Sequence, residues 1–226
     1  RRTQEPAGPT APELEPLHPA GLRIGLLLDM GCGPQVEPET AHLVEAAARL
    51  LEAQGASLHV VARPLDFEIS PLFEQIFAVK AALERDELPA SRNRETLDFI
   101  NRRCDLGDAL DAKAYVRAAE EMDKAKAAFA AALSPFDFVL SPVLPVAGFP
   151  ADAPGADPQQ PERHIGFTAL VNQIGWPAAS ICCGFTGSGL PVGLQIIAQR
   201  NRDVEILALS ATYEKLRGFT PGIAEP

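Results

Sequence analysis

The 226-residue chain has neither a long apolar run nor an excess of basic residues. A membrane-spanning helix needs about 20 consecutive apolar residues, whereas the run LRIGLLLDM at 22–30 is short and contains charged residues. The 20 Lys+Arg and 30 Asp+Glu residues give a net charge of -10, so the chain is poor in the basic surface that binds nucleic-acid phosphates. We therefore predict a cytoplasmic protein with neither a membrane nor a nucleic acid as partner.

Cysteine is scarce and irregularly spaced. The four cysteines are Cys32, Cys104, Cys182 and Cys183, and no two of them form the CxxC pair typical of zinc sites. Cys182 and Cys183 are adjacent, so in a strand their side chains point to opposite faces and cannot easily share one ion. We predict free thiols in a reducing compartment, no metal and no cofactor.

The chain begins at Arg1 without an initiator methionine, which suggests a piece of a longer protein. Residues 1–20 are rich in proline and have almost no periodic apolar pattern, which is typical of an extended arm or linker. Residues 21–226 have enough apolar content for a packed core and are predicted to form one α/β unit.

The pattern after the arm alternates strand and helix signals. A short apolar run, an amphipathic helix with Pro38 near its start and Gly55 at its end, and a second run indicate a β-α-β unit with parallel strands. Further helices and strands follow, together with a long proline-rich loop at 143–164. The predicted strands are 22–29, 57–62, 136–142, 180–185 and 192–198. The predicted helices are 38–54, one with Ser70 as N-cap and Pro71 in its first position, 92–103, 111–133, 165–174, and one with Asp203 as cap residue.

Ser188 is the first candidate nucleophile. A nucleophile elbow needs glycines two positions before and after the serine, but Gly187 and Gly189 directly flank Ser188, and Thr186 and Leu190 occupy the elbow positions. Glycine-rich residues between two apolar runs are typical of a hairpin turn. The turn is the favoured interpretation.

Gly31-Cys32-Gly33 is a second candidate, because it lies between a predicted strand and a predicted helix. A dinucleotide-binding turn has a third glycine, where this chain has Val36. Glu37 and Glu39 would also place negative charge at the helix start, where a phosphate binds. A simple strand-to-helix turn is favoured, with a small-ligand site as the alternative.

Thr168 and Asn172 form a third candidate. They are four residues apart in one predicted helix, so their side chains project from the same face, directly after the long loop. The pattern fits either a local helix hydrogen bond or a polar pair facing a cleft, and it does not choose between them. His164, beside the loop, could line the same cleft.

Three segments together resemble the C-terminal half of the amidase signature family: FDFVLSPVLP (136–145), FTALVNQIGWPAASI (167–181) and GLPVGLQIIAQRNRDVEILALSATYE (189–214). The β-α-β segment after residue 21 is similar to the middle of such chains, so the resemblance covers about 21–217. One departure is Val143, where many relatives have threonine.

The resemblance implies a mixed β-sheet flanked by helices, here incomplete, and hydrolysis of a carboxylic amide C–N bond. The family uses a Ser-Ser-Lys triad from its N-terminal half, and no Gly-Gly-Ser-Ser-Gly stretch occurs in this chain. We therefore expect no catalytic residue here. Thr168 and Asn172 are the expected substrate-binding residues, with the turn Ser141–Pro145 behind them.

Three functions stay open from the sequence. The chain is the C-terminal portion of an amidase that binds a small linear amide together with its N-terminal half. The second alternative is an inactive truncated module. The third is an unrelated α/β protein that binds a small ligand at Gly31–Gly33. A homodimer is compatible with each of them.

Overall fold

A computed structural model describes residues 14–89, 92 and 97–221. Most of the predicted proline-rich arm, at 1–13, and part of the predicted helix at 92–103 lie outside these residues. The helices are α1 (Pro38–Ala53), α2 (Ser70–Asp86), α3 (Asp98–Ala109), α4 (Ala112–Leu133), α5 (Gly166–Ile174) and α6 (Asp203–Leu216), and the strands are β1 (Arg23–Leu26), β2 (Ser57–Val60), β3 (Phe138–Pro142), β4 (Ala178–Phe185) and β5 (Pro191–Ile197).

The strands form one mixed sheet in the order β2-β1-β3-β5-β4. β1 runs parallel to both β2 and β3, which confirms the predicted β-α-β unit. β5 runs antiparallel to β3 and to β4, and the last two form the predicted hairpin. The α/β fold with a mixed sheet is therefore as the sequence predicts.

Helices cover both faces of the sheet. One core places α1 and α6 against one face and is built around Leu51, Leu140 and Tyr213, each at most 1% exposed. The other core places α2, α4 and α5 against the opposite face and contains Phe73, Phe129 and Leu170 among its buried members. Burial of these large side chains on two faces supplies the main stabilisation of the three layers.

Two helix starts differ from the predictions. The sequence predicts Ser70 as the N-cap of α2 with Pro71 in the first helical position, but the helix begins at Ser70 itself. The Ser70 backbone N–H at the helix start donates to the Glu68 carboxylate, so Glu68 satisfies the N–H at this position, and the Ser70 hydroxyl donates to the same carboxylate oxygen. Likewise α6 begins at Asp203, with Arg202 as the preceding cap residue.

The described end of the arm packs on α6. The Leu17 carbonyl accepts a hydrogen bond of 2.8 Å from the Thr212 hydroxyl, and the Leu17 N–H lies 3.5 Å from the Ala208 carbonyl.

Within the described ranges, no helix combines the length and the apolar character that a membrane crossing requires.

Candidate functional site

The loops that follow β1 and β3 meet at one edge of the sheet, because the two strands are parallel neighbours. The loop after β1 leads into α1, and the loop after β3 contains the Ser141–Pro145 turn. These two loops are joined directly, since the Glu37 N–H donates to the Pro145 carbonyl at 2.8 Å. The candidate site is built at this edge.

The Gly31–Gly33 turn is held by the chain's own carboxylates. The Gly31 N–H donates to Asp29 at 2.9 Å, and the Gly33 N–H donates to Glu68 at 3.0 Å. The Gly31 hydrogen bond, together with Arg63, lowers the pKa of Asp29. A phosphate would need these same N–H groups, so the geometry favours the predicted strand-to-helix turn. The turn and Arg63 nevertheless border an open cavity of about 440 Å³.

Glu68 connects three segments at this edge. It accepts from Ser70 at the start of α2 and from Gly33, and it lies 3.4 Å from the Arg163 guanidinium in the short 3₁₀ helix Pro161–Ile165. Burial alone would raise the pKa of Glu68, but the hydrogen bonds from Ser70 and Gly33 outweigh it and lower that pKa. Glu68 therefore stays ionised and fixes the end of the long loop against α2.

A cavity of about 200 Å³ lies beside Glu68. It is lined by the end of the long loop and the start of α2, and its lining residues are Glu68, Ser70, Pro71, Glu74 and Gln159 to Arg163. The end of the long loop therefore borders a cavity. Thr168 and Asn172 do not line this one.

The two predicted substrate-binding residues lie on α5 in different environments. Thr168 is half-buried, and its hydroxyl donates to the Ile165 carbonyl at 3.1 Å. Asn172 is exposed, and its side chain forms no hydrogen bond with any residue that the structure describes. The local helix hydrogen bond expected as one alternative is thus present at Thr168, and Asn172 has a free amide on the surface.

Sequence reasoning missed the residue that fixes α5 to the sheet. Gln195 in β5 is 4% exposed, and its amide nitrogen donates to the Ser141 hydroxyl at 2.8 Å and to the Phe167 carbonyl at 3.0 Å. Ser141, fully buried, in turn donates to the Pro142 carbonyl. The available signal was a single amide in the otherwise apolar run VGLQII, since a buried polar group needs partners.

A second missed residue holds the other end of α5. Arg200 donates from Nε and one terminal nitrogen to the Ile174 carbonyl, at 3.1 and 2.6 Å. The helix ends at Ile174 and is followed by Gly175 as its cap residue, whose φ of 64° is left-handed and favours glycine. The two arginine contacts satisfy a carbonyl that the helix end leaves without a partner.

Beside α5, the end of β3 approaches the hairpin closely. A Cβ atom built on Gly193 would lie 2.8 Å from Val143 Cγ2 and 3.3 Å from Ser180 Oγ, so only glycine fits there without a shift. Val143 occupies the position where threonine was expected by resemblance, and it offers no polar group. Ser180, which is exposed, supplies a hydroxyl on the same face.

The candidate nucleophile Ser188 lies in a turn whose contacts are structural. Ser188 lies in the turn of the hairpin, 2.8 Å from the Thr186 hydroxyl, and Gly189 has a left-handed φ of 86°. The turn is further fixed by the Gly187 N–H, which donates to Glu39 at 2.6 Å. The hairpin interpretation of Ser188 is confirmed, and the glutamate at the helix start binds protein backbone.

The adjacent cysteines belong to β4. Cys183 is buried and donates to the Val192 carbonyl, and burial raises the pKa of its thiol to about 12. Cys182 is half-buried and donates to the Gly184 carbonyl. A thiol with a raised pKa is a poor nucleophile, so the position of Cys183 favours a packing role in the core over a catalytic one.

His164 packs beside the long loop. Its ring meets Phe149 edge-on, with centroids 4.9 Å apart, and its Nδ1 is buried without a hydrogen-bond partner among the described residues.

Two of the five lysines, Lys124 and Lys126, pair on the surface of α4 with acidic residues three positions earlier. These are ordinary helix ion pairs.

Comparison with known proteins shows that the sequence and the fold of this chain are similar to those of amidases. The family model for amidases matches residues 2–207. The chain is 30% identical over 219 residues to a subunit of the glutamyl-tRNA(Gln) amidotransferase of Thermosynechococcus vestitus, and the match covers 86% of this chain and 45% of that protein. It is 28% identical over 223 residues to the corresponding subunit of Brevibacillus brevis, with coverage of 88% of this chain and 45% of that protein.

Solved structures share the fold. A bacterial aryl acylamidase of the amidase signature family superposes with a TM-score of 0.74 at 23% identity, covering 87% of this chain and 44% of that one. A 6-aminohexanoate cyclic dimer hydrolase superposes with a TM-score of 0.73 at 20% identity, covering 97% and 50%.

The chain spans about half the length of the curated relatives it matches. A common ancestry excludes the alternative of an unrelated ligand-binding protein. The family match over most of the sequence, with the mixed sheet and its flanking helices, shows that this chain belongs to the amidase signature family.

Proposed function

We propose that this chain is the C-terminal portion of an amidase that hydrolyses the C–N bond of a small linear carboxylic amide. The observation that carries the proposal is the combination of family membership with a match to only 45% of the relatives' length. The sequence contains no Gly-Gly-Ser-Ser-Gly stretch, so a segment outside these 226 residues would supply the Ser-Ser-Lys triad.

In such an enzyme the serine attacks the amide carbonyl, and backbone N–H groups stabilise the oxyanion that forms. The contribution of this chain is to hold and orient the substrate. Thr168 and Asn172 are the proposed binding residues, since both lie on α5 and Asn172 presents an exposed amide able to donate and to accept.

The contacts that hold α5 in place are consistent with a role in binding substrate. Gln195 and Arg200 hold α5 near its start and at its end, so the helix is fixed before any ligand arrives. A binding group placed on a rigid element loses little entropy on binding. A second polypeptide segment would close the pocket over the exposed amide of Asn172.

The named relatives include subunits of glutamyl-tRNA(Gln) amidotransferases. For this chain we propose a small-molecule amide, because its net charge of -10 disfavours contact with tRNA. We further propose that the protein acts in the cytoplasm, in complex with the segment that completes the enzyme, and that the 226-residue chain is inactive alone.

Ammonia or amine release tests the proposal. The 226-residue chain and a longer polypeptide that includes the region encoded directly upstream of Arg1 would be assayed on an aliphatic amide, an aromatic amide and an anilide. We expect turnover of at least one substrate by the longer protein and none by the short chain. Hydrolysis by the short chain alone, or by neither protein, would contradict the proposal.

A further inference from the structure

A cavity of about 310 Å³ lies between α2, α3 and the long loop. Its volume is within the usual range of small-molecule sites, about 300–1,000 Å³. Neither Thr168 nor Asn172 lines this cavity, so it is separate from the proposed substrate site. Its lining residues are Glu74 from α2, Phe99, Arg102, Arg103 and Leu106 from α3, and Pro154, Pro158 and Pro161 from the loop and the 3₁₀ helix.

One face of α3 gives the cavity an apolar wall. Phe99, Arg102 and Leu106 are three and four positions apart, so they share this face. Phe99 and Leu106 are 40% and 38% exposed. Another face of α3 packs closely on α2, where a Cβ atom built on Gly107 would lie 2.2 Å from the Ala78 carbonyl oxygen. The cavity face therefore offers apolar surface that a ligand can cover, together with the prolines of the lining.

Two charged side chains on this cavity have no partner of opposite charge. Glu74 and Arg102 both line it, and neither forms a hydrogen bond or an ion pair with any residue in the described ranges, including each other. Arg103, the third charged residue of the lining, pairs with Glu162. A ligand with one positive and one negative group would therefore find a counter-charge for each of them.

The shape of the cavity is fixed by ion pairs at its border. The Arg103–Glu162 pair joins α3 to the 3₁₀ helix, and both side chains are at most 25% exposed. The next residue of that helix, Arg163, lies 3.4 Å from Glu68, which precedes α2. The end of the long loop is thus held against both helices before a ligand arrives, which reduces the entropy lost on binding.

We propose that this cavity binds a free apolar α-amino acid. The ammonium group pairs with Glu74, the carboxylate pairs with Arg102, and the side chain packs against Phe99 and Leu106. A simple amine or a simple acid would leave one of the two charges without a partner. None of these residues belongs to the proposed site on α5, so amino-acid binding here is independent of the proposed function.

A bound amino acid would also restrain the long loop. Backbone hydrogen bonds inside 150–160 run from Ala153 to Pro150 and from Gln160 to Asp157, and among the described residues none joins this segment to α2 or α3. A ligand that contacts the loop prolines and α3 together supplies such a connection. The cavity therefore couples the amino-acid concentration to the mobility of the loop.

A ligand-observed NMR titration of the native polypeptide that contains this sequence would compare four probes. L-Phenylalanine has all three groups, 3-phenylpropanoate lacks the ammonium, 2-phenylethylamine lacks the carboxylate, and glycine lacks the apolar side chain. We expect phenylalanine to bind at least about tenfold more tightly than each of the others, since one lost charged hydrogen bond costs about that factor. Equal affinity for phenylalanine and either single-charge probe would overturn the proposal.

Two variants assign the ends of the ligand. Glu74→Gln should weaken phenylalanine binding by about tenfold and leave 3-phenylpropanoate unchanged, whereas Arg102→Gln should weaken phenylalanine equally and leave 2-phenylethylamine unchanged. Arg117→Gln is the matched control, because Arg117 is an exposed arginine of α4 outside the cavity. Phenylalanine binding that is unchanged in both cavity variants would overturn the proposal.

Hydrogen exchange tests the contact with the loop. At about ten times the Kd of phenylalanine, the amides of 151–160 should exchange about tenfold more slowly in wild type and in Arg117→Gln. Arg102→Gln at the same concentration should show a smaller change. Exchange in wild type that does not respond to bound phenylalanine would overturn the placement of the ligand between α3 and the loop.

Discussion

The Gln195 amide nitrogen donates to the Ser141 hydroxyl at 2.8 Å, inside a site where both side chains are at most 4% exposed. The same nitrogen donates to the Phe167 carbonyl. One buried amide therefore links β3, β5 and α5, and the position of the proposed binding helix depends on it.

Replacing Gln195 tests this link. Gln195→Leu should lower the free energy of unfolding by roughly 1–2 kcal/mol, because two buried hydrogen bonds are lost. Urea unfolding of the 226-residue chain would measure the change. Gln199→Leu is the control, since Gln199 is exposed and donates to the Ser134 carbonyl at 3.0 Å. Equal losses in the two variants would show that burial adds nothing to the Gln195 bonds.

Gly31 should tolerate no side chain. Its φ is 80°, and a Cβ atom there would lie 1.7 Å from the Leu65 carbonyl oxygen. Gly21 has nearly the same φ, 82°, with nothing within 4 Å. Gly21→Ala should therefore cost only the backbone strain, about 1 kcal/mol, whereas Gly31→Ala should cost roughly 2–4 kcal/mol. Thermal unfolding compares the pair, and similar shifts would contradict the close approach at Leu65.

The role of Glu68 should depend on pH. Its pKa is lowered in the folded chain, so its ionised form stabilises the fold. That contribution is complete above the ordinary value of 4.5 and is lost as the pH falls through the lowered pKa. Glu68→Gln should cost roughly 1 kcal/mol at pH 7, a modest figure because the side chain is 35% exposed to screening solvent.

Urea unfolding of wild type and Glu68→Gln at decreasing pH would show the two stabilities converge in acid. Glu74→Gln is the control, because Glu74 lines the same cavity without holding the Gly33 turn. A difference that stays constant down to acid pH would show that the charge of Glu68 is not what stabilises the turn.

The proposed binding role of α5 can be tested in the complete enzyme. Thr168→Val and Asn172→Ala should each raise KM or lower kcat by roughly 3- to 10-fold, the equivalent of one lost hydrogen bond. Thr212→Val is the control, since it removes a helix hydroxyl on α6, on the opposite face of the sheet. Wild-type kinetics in both α5 variants would show that the pocket lies elsewhere.

Local patterns predict most elements because each has its own signal. Pro38 and Gly55 delimit α1, and the glycines around Ser188 form the hairpin turn. α4 begins one residue after the predicted start, because Asp111 is its N-cap and accepts from the Ala114 N–H. The predicted start of α2 is wrong by one residue, and the Glu68 carboxylate accepts the Ser70 backbone N–H at the helix start.

The connections that build the site were not predictable in the same way. Gln195 and Ser141 are 54 residues apart, and Arg200 and Ile174 are 26 apart. Such pairs depend on strand register and on the crossing of α5 over the sheet, which no local pattern specifies. The sequence could indicate that Gln195 needed a partner, but not which one.

The proposed function requires this chain to be the non-catalytic portion of a serine amidase. A fluorophosphonate probe, which modifies activated serines, would be applied to the native polypeptide that contains this sequence, followed by intact mass and peptide mapping. We expect a labelled polypeptide well above 24.1 kDa, with the modified serine outside these 226 residues. A labelled serine within them, or a native polypeptide of 24.1 kDa that hydrolyses amides, would contradict the proposal.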